Sequence, residues 1–387
     1  MDYDVVIVGS GPSGSTCARI CAKRGLHTLL VEKEHHPRYK PCGGGLTLRI
    51  LRALDFEVPE DVIERRVGEM RLFHGNEYMS YKNSDKRDPL ITMVDRSRFD
   101  DLLAGKAVEE GVEMREGTAV SSVSISDDSC QVVVGGETVI TPIVVGADGV
   151  NSIVSKHVRP RFRSNDVSLT FEAEVMVGES EVMGRGGFAE SYLDLDVWGY
   201  GWVFPKKDHL SVGFGGLLDK MSDPRKHFAK YLKRLGLEKQ EMQVHAHLIP
   251  VGSDKRPVVA DRTILVGDAA GFAEPFTGEG IYYAIRSGQI AADSITRSYE
   301  RSDFSIACLE SYSRICLEEF GHEFRRANKA MRAFFTMKPL SVRILFSDQA
   351  FMEHFARIQT GRETYKQFKR WMLPRSPYYL VKGLLRM

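Results

Sequence analysis

Gly9-Ser10-Gly11-Pro12-Ser13-Gly14 carries the G-x-G-x-x-G spacing of a phosphate cradle. Glycines there permit a tight turn and close approach of a pyrophosphate, and a helix opening behind them offers unpaired amides and the positive end of its dipole. A β-branched run over residues 4–9 precedes the motif and an alanine-bearing helical stretch over 13–23 follows it. Glu32 then ends a second apolar run, Thr28 to Val31, where a carboxylate would accept hydrogen bonds from ribose hydroxyls. Strand, loop, helix, strand and acid together predict dinucleotide binding rather than a glycine-rich structural turn.

Other residues of chemical interest are more ambiguous. Tyr200, Trp202 and Phe204 alternate, so on a strand their rings share one face. They would form either an apolar wall for a ligand or the filling of a core, and spacing alone favours the core. Cys42, between proline and glycines, reads by itself as a buried thiol. The six cysteines form no C-x-x-C pair, so neither a disulfide framework nor a zinc site is expected. His35-His36 and His245-x-His247 lack matching carboxylates or thiols, and no metal is expected. Ser152 and Ser155 lack a nucleophile elbow, which removes support for hydrolase chemistry.

The elements that must position these residues follow an α/β pattern. A loop-like Pro41–Gly45 segment leads to a short helical stretch ending near Leu54, and residues 96–110 read as a helix. Strands are expected over 120–125, 130–134 and 140–145, the last closing on Gly146-Ala147-Asp148-Gly149. Residues 167–216 are strand-like and rich in aromatics, predicting a second, substrate-facing sheet. An apolar strand returns at 263–267, a helix follows from Glu279, and the chain beyond Asp303 reads as helical. The expected domains are 1–165 and 259–300 for the nucleotide-binding part, 166–258 for the sheet, and 301–387 for a helical C-terminal region.

Composition suits a soluble protein: 387 residues, 43% hydrophobic, 27% charged and 35 glycines. A formal charge of +1 provides no field for nucleic acid. One local exception is the stretch from Arg357 to Met387, where eight Lys or Arg, including Arg386, face a single acid, Glu363, with Trp371, Tyr378, Tyr379 and Leu380 among them. That mixture suits a membrane surface. No apolar run approaches the roughly 18 residues needed to cross a bilayer. With no secretory signal ahead of the first strand, the expected location is cytoplasmic, with peripheral membrane contact.

A second segment, Thr263-Ile-Leu-Val-Gly-Asp268-Ala-Ala-Gly followed by Pro275, Thr277, Gly278, Glu279 and Gly280, resembles the flavin motif of the aromatic hydroxylase-like flavoproteins. The resemblance implies FAD. It implies that Asp268 holds the ribitol and that backbone at Gly280 and Ile281 meets the flavin ring, where a helix N-terminus favours negative charge. Gly146 to Gly149 match that family's GADG segment, and Arg96 matches an arginine beside the cofactor. Asp148 alone would serve equally as a turn cap. Ser13, Lys33, Gly43, Gly45 and Ala119 complete the expected cofactor-binding set.

Lys40-Pro-Cys42-Gly-Gly44, Tyr200-Gly-Trp202-Val-Phe204-Pro205 and Gly213-Phe-Gly215 resemble signatures of the geranylgeranyl reductases, and Gly278-Glu-Gly-Ile-Tyr-Tyr283 resembles the chlorophyll-pathway branch. The likeness runs from the first strand to about Ser298. It implies a Rossmann-like FAD domain interleaved with an antiparallel substrate sheet, and an enzyme that saturates C=C bonds of a geranylgeranyl chain on a lipid, diphosphate or chlorophyll-type carrier. It places Cys42 near the flavin and makes Tyr200, Trp202 and Phe204 the prenyl-facing wall. Hydride from FAD must be matched by a proton, for which Cys42 and Tyr200 are candidates. NADPH, NADH or reduced ferredoxin would supply electrons. Two rival readings remain: an FAD monooxygenase or halogenase, although the halogenase tryptophan motif is absent, and a non-catalytic prenyl-lipid carrier.

Overall fold

The computed structural model describes residues 1–83 and 88–385; Arg386, counted above in the basic segment, lies outside the described residues. The chain divides into two compact units. The first comprises Met1–Lys40, Ser97–Arg163 and Ile249–Arg325, and the second Pro41–Arg96, Ser164–Leu248 and Arg326–Met387. The crossings fall after Arg163 and Leu248, where the boundaries expected from sequence lie after residues 165 and 258. Residues 41–96 and the helices after 325, however, group with the aromatic sheet.

In the first unit the strand Val5–Val8 lies at the heart of a six-stranded sheet. It pairs in parallel with Thr28–Val31 on one side and Val144–Gly146 on the other. Val5, Val6, Ile7, Leu29 and Leu30 have no exposed surface, which explains why these strands read as unbroken apolar runs: a parallel sheet is covered on both faces. The helix Pro12–Lys23 crosses from the first strand to the second. The helix Ile281–Arg301 packs on it through Gly288, where a Cβ would stand 2.5 Å from the carbonyl of Ser13. The single strand expected over 140–145 is two. Glu137–Thr141 closes a three-stranded antiparallel sheet and Val144–Gly146 joins the parallel one, with Pro142, which lacks an N–H for a ladder, at the break.

The second unit is built on a seven-stranded sheet whose central strands are Val167–Met176, His209–Leu217, Gly199–Pro205 and Ala189–Tyr192, paired antiparallel in that order. One face carries Phe171, Val203, Val212 and Phe214 against Phe228, Tyr231 and Leu232 of the helix Pro224–Leu235. That helix starts on a Pro at its first turn with Asp223 capping the amide of Lys226, and stops at Gly236 with φ 69°. A second, three-stranded sheet places Ile91–Val94 between Gly45–Thr47 and Ile63–Val67.

Candidate cofactor and substrate sites

In the first unit the glycine loop is packed as a dinucleotide cradle. A Cβ on Gly14 would stand 1.8 Å from the carbonyl oxygen of Gly9, and one on Gly9, at φ 100°, 2.5 Å from that of Ala147. Around Gly11, by contrast, the nearest neighbour of such a Cβ is the guanidinium of Arg38, at 3.9 Å. The loop is therefore closed against its own protein and open at Gly11, as close approach of a pyrophosphate requires. Glu32 is 5% exposed. Its Oε2 accepts from the Ser10 amide at 3.0 Å and the Ser10 hydroxyl at 2.7 Å, and faces Arg38 Nε at 3.5 Å. Burial alone would raise this carboxyl, but Arg38 and the Ser10 bonds outweigh burial and hold it below its ordinary value. The backbone of Thr118 bonds the Glu32 carbonyl, which brings Ala119 alongside, whereas Lys33 points into solvent toward Glu34.

The GADG segment and the flavin-type turn meet this loop. Asp148 accepts from the amide of Ile153 through Oδ2, while its buried Oδ1 has no hydrogen-bond partner among the described residues. Burial raises the Asp148 carboxyl above its ordinary range against the bonds from Ser152 and Ile153. The position of a Cβ on Gly267 lies 2.7 Å from the Ser13 hydroxyl, and that of one on Gly280 lies 3.5 Å from Asp268 Oδ1. Gly280 is the N-cap of the helix Ile281–Arg301, with no side chain closing its first amides. The turn bearing Asp268 is held by the buried Arg159, whose Nε and Nη2 donate to the carbonyl of Ala269 at 3.2 and 2.7 Å. A narrow loop open at one glycine, an acid at the ribose position and a buried unpaired carboxylate oxygen fit FAD.

In the second unit Tyr200, Trp202 and Phe204 do form one row, with ring centroids 6.2 and 6.4 Å apart, on the face of the strand opposite the helix-packed core. Gly213 and Gly215 lie opposite Trp202 and Tyr200 in the ladder, and a Cβ on Gly213 would meet Trp202 Cζ2 at 2.2 Å. Gly213, the first glycine of the G-F-G signature, is thus the room into which the indole lies, while a Cβ on Gly215 would meet Thr170 at 2.6 Å. The Cys42–Gly44 loop sits on this row: a Cβ on Gly43 would be 2.6 Å from the Phe204 ring and 3.4 Å from Trp202 Nε1. Cys42 is half-buried and free, and its sulfur accepts from the Gly44 amide at 3.4 Å. Arg96 is buried at the start of the helix Arg96–Glu109.

Two groups escaped the sequence reading. Lys206, 2% exposed, donates from Nζ to the carbonyls of Gly43 and Val94 at 2.8 and 2.7 Å, and burial lowers its ammonium below the ordinary value although Cys42 and Glu172 oppose this. Trp202 Nε1 donates to Ser211 Oγ at 3.4 Å, and Ser211 in turn to the buried Glu172 at 3.1 Å. A lysine directly after an aromatic strand ending in proline was a usable signal for the first. Nothing local marked the second. Among the described residues no group of His, Cys, Asp and Glu could hold a metal, and no helix is long and apolar enough to cross a membrane.

Residues 2–184 match the FAD binding domain family, so the fold and the cradle define an FAD-binding flavoprotein. Among curated proteins, the geranylgeranyl diphosphate reductase of Oryza sativa subsp. japonica is 30% identical over 364 residues, 86% of this chain and 77% of that one. That of Synechocystis is 29% identical, over 98% of this chain and 95% of its own. The chain belongs to the geranylgeranyl reductase family. A solved structure of a geranylgeranyl bacteriochlorophyll reductase-like protein from Thermoplasma acidophilum has the same fold, with a TM-score of 0.81 at 24% identity over 96% of this chain and 98% of that one.

Proposed function

We propose that this protein is an FAD-dependent prenyl reductase, saturating C=C bonds of a geranylgeranyl chain carried by a lipid, a diphosphate or a chlorophyll-type head group. The observation that carries the reading is the aromatic row Tyr200, Trp202, Phe204, turned away from the helix-packed core and contacted by the Cys42–Gly44 loop. An isoprenoid tail presents only apolar surface and π-bonds, which such a row receives without asking for polar partners. Bound FAD, once reduced, supplies the hydride.

The remaining demands fall on the protein's own groups. Gly9, Gly11, Gly14 and Glu32 hold the adenosine and pyrophosphate; Asp148, Asp268 and the helix end at Gly280 and Ile281 hold the flavin half. Ser13 completes the cofactor contacts of the first unit in this reading. An isolated alkene accepts hydride only as a proton reaches the neighbouring carbon, and the Cys42 thiol and the Tyr200 phenol are the donors on the aromatic side. Electrons come from NADPH, NADH or reduced ferredoxin. Exposed Leu373, Tyr378 and Leu380 beside Lys366, Lys369 and Arg370 support contact with an anionic membrane surface, from which an amphiphilic substrate would be drawn.

The test is a single-turnover incubation of chemically reduced enzyme, without oxygen, with geranylgeranyl diphosphate, a geranylgeranylated chlorophyll precursor, an unsaturated archaeal diether lipid and a prenylated quinone. Products heavier by one hydrogen molecule per bond are expected with at least one carrier. No product from any of the four overturns the reading. Substrate-coupled oxygen consumption would point instead to a hydroxylase, and colourless protein that still binds prenyl lipid to a carrier.

A further inference from the structure

Glu274 is a buried carboxylate, 5% exposed, with no part in the site described so far. Its Oε2 accepts from the amides of Phe276 and Thr277 and from the Thr277 hydroxyl. All three of these donors thus meet on that one oxygen. Its Oε1 is equally buried and has no hydrogen-bond partner among the described residues. Native structures rarely leave such an atom unmatched, so its position asks for a donor from outside the polypeptide.

Where Glu274 sits narrows the donor. Its amide donates to the carbonyl of Glu279 and its carbonyl accepts from the amide of Gly278, both at 2.9 Å, which closes residues 274–279 into one loop. That loop delivers the chain to Gly280, whose Cβ position is 3.5 Å from Asp268 Oδ1 and 3.9 Å from the side chain of Ala273, the neighbour of Glu274. The flavin end of the cradle and the unmatched oxygen thus belong to one turn of the first unit.

We propose that Glu274 Oε1 accepts a hydrogen bond from an N–H or O–H of the flavin half of bound FAD, and that its negative charge lowers the reduction potential of the cofactor. A negative charge beside a group that gains electrons opposes the gain, so the bound cofactor becomes a stronger hydride donor. That is what an unactivated alkene requires of it. The inference rests on FAD binding and needs no prenyl substrate, so its test is separate from that of the proposed reaction.

Glu274→Gln keeps an amide oxygen for the loop donors and puts an NH2 where Oε1 stood, so a donor would face a donor. The FAD dissociation constant, from flavin fluorescence, should rise about tenfold or more, and the midpoint potential, from anaerobic dye titration, should move upward. Thermal melting of the apoprotein should be unchanged. An unchanged dissociation constant or an unchanged midpoint overturns the proposal, the first leaving Oε1 bound to water only. Glu274→Asp retains the charge on a shorter stem and guards against a variant that fails to fold. It should keep the wild-type midpoint, and a rise like that of the Gln variant would overturn the proposal by assigning the effect to loop shape rather than charge.

Discussion

Lys206 Nζ donates a 2.8 Å hydrogen bond to the carbonyl of Gly43, so a buried ammonium ties the Cys42–Gly44 loop to the end of the aromatic strand. The same nitrogen reaches the carbonyl of Val94, and a Cβ on Gly44 would stand 2.6 Å from it. Loop, strand and small sheet therefore converge on one cation.

Lys206→Met leaves those two carbonyls without their donor. Removing a buried charge relieves some desolvation, yet the unpaired acceptors are expected to leave the variant less stable by about 1–3 kcal/mol. Urea unfolding of variant and wild type, compared at equal slope, measures this directly; equal midpoints would refute it.

Trp202→Ala should lower kcat/KM for the prenyl substrate by about ten- to a hundredfold, the worth of one buried aromatic contact, with FAD content unaltered. Gly213→Ala should act in the same direction because the new methyl occupies the volume of Trp202 Cζ2. Steady-state assays alongside the flavin absorbance at saturation check both, and a Gly213→Ala enzyme with wild-type kinetics would mean that the indole is free to move.

The Glu32 carboxyl is held below its ordinary value of 4.5. A group with a depressed native value stabilises the fold above the unfolded value and loses that contribution as pH falls through the native one. Stability should therefore decline below pH 4.5 in the wild type and decline less steeply in Glu32→Gln. Denaturant melts across that acid range report the difference, and parallel curves would dismiss the linkage.

Of the cysteines, Cys42 and Cys308 are half-buried, whereas Cys17, Cys21, Cys130 and Cys316 are buried. Burial pushes the Cys130 thiol up to about 12. Brief alkylation of the native protein at mildly alkaline pH should label Cys42 and Cys308 first, as peptide mass spectrometry would show. Early modification of Cys130 would contradict the fold.

The strand, glycine loop, helix and Glu32 were legible in the sequence because each is a local device: periodicity and glycine spacing specify a phosphate cradle within about thirty residues. Alternation likewise put Tyr200, Trp202 and Phe204 on one face, since a strand has only two. Which face meets the helix is a different matter, set by the helix Pro224–Leu235 covering the side of Val203, while on the other side Phe204 packs against the cluster of Ile91 and Met93 and Gly213 leaves room for the Trp202 indole. The break at Pro142, the grouping of residues 41–96 with the aromatic sheet, the cation at Lys206 beneath Gly43 and the unmatched oxygen of Glu274 all depend on partners far away in sequence or on the exact satisfaction of buried polar atoms. Local pattern encodes sidedness and turn shape. Only tertiary packing decides which side is buried, and which buried polar atom is left without a partner among the described residues.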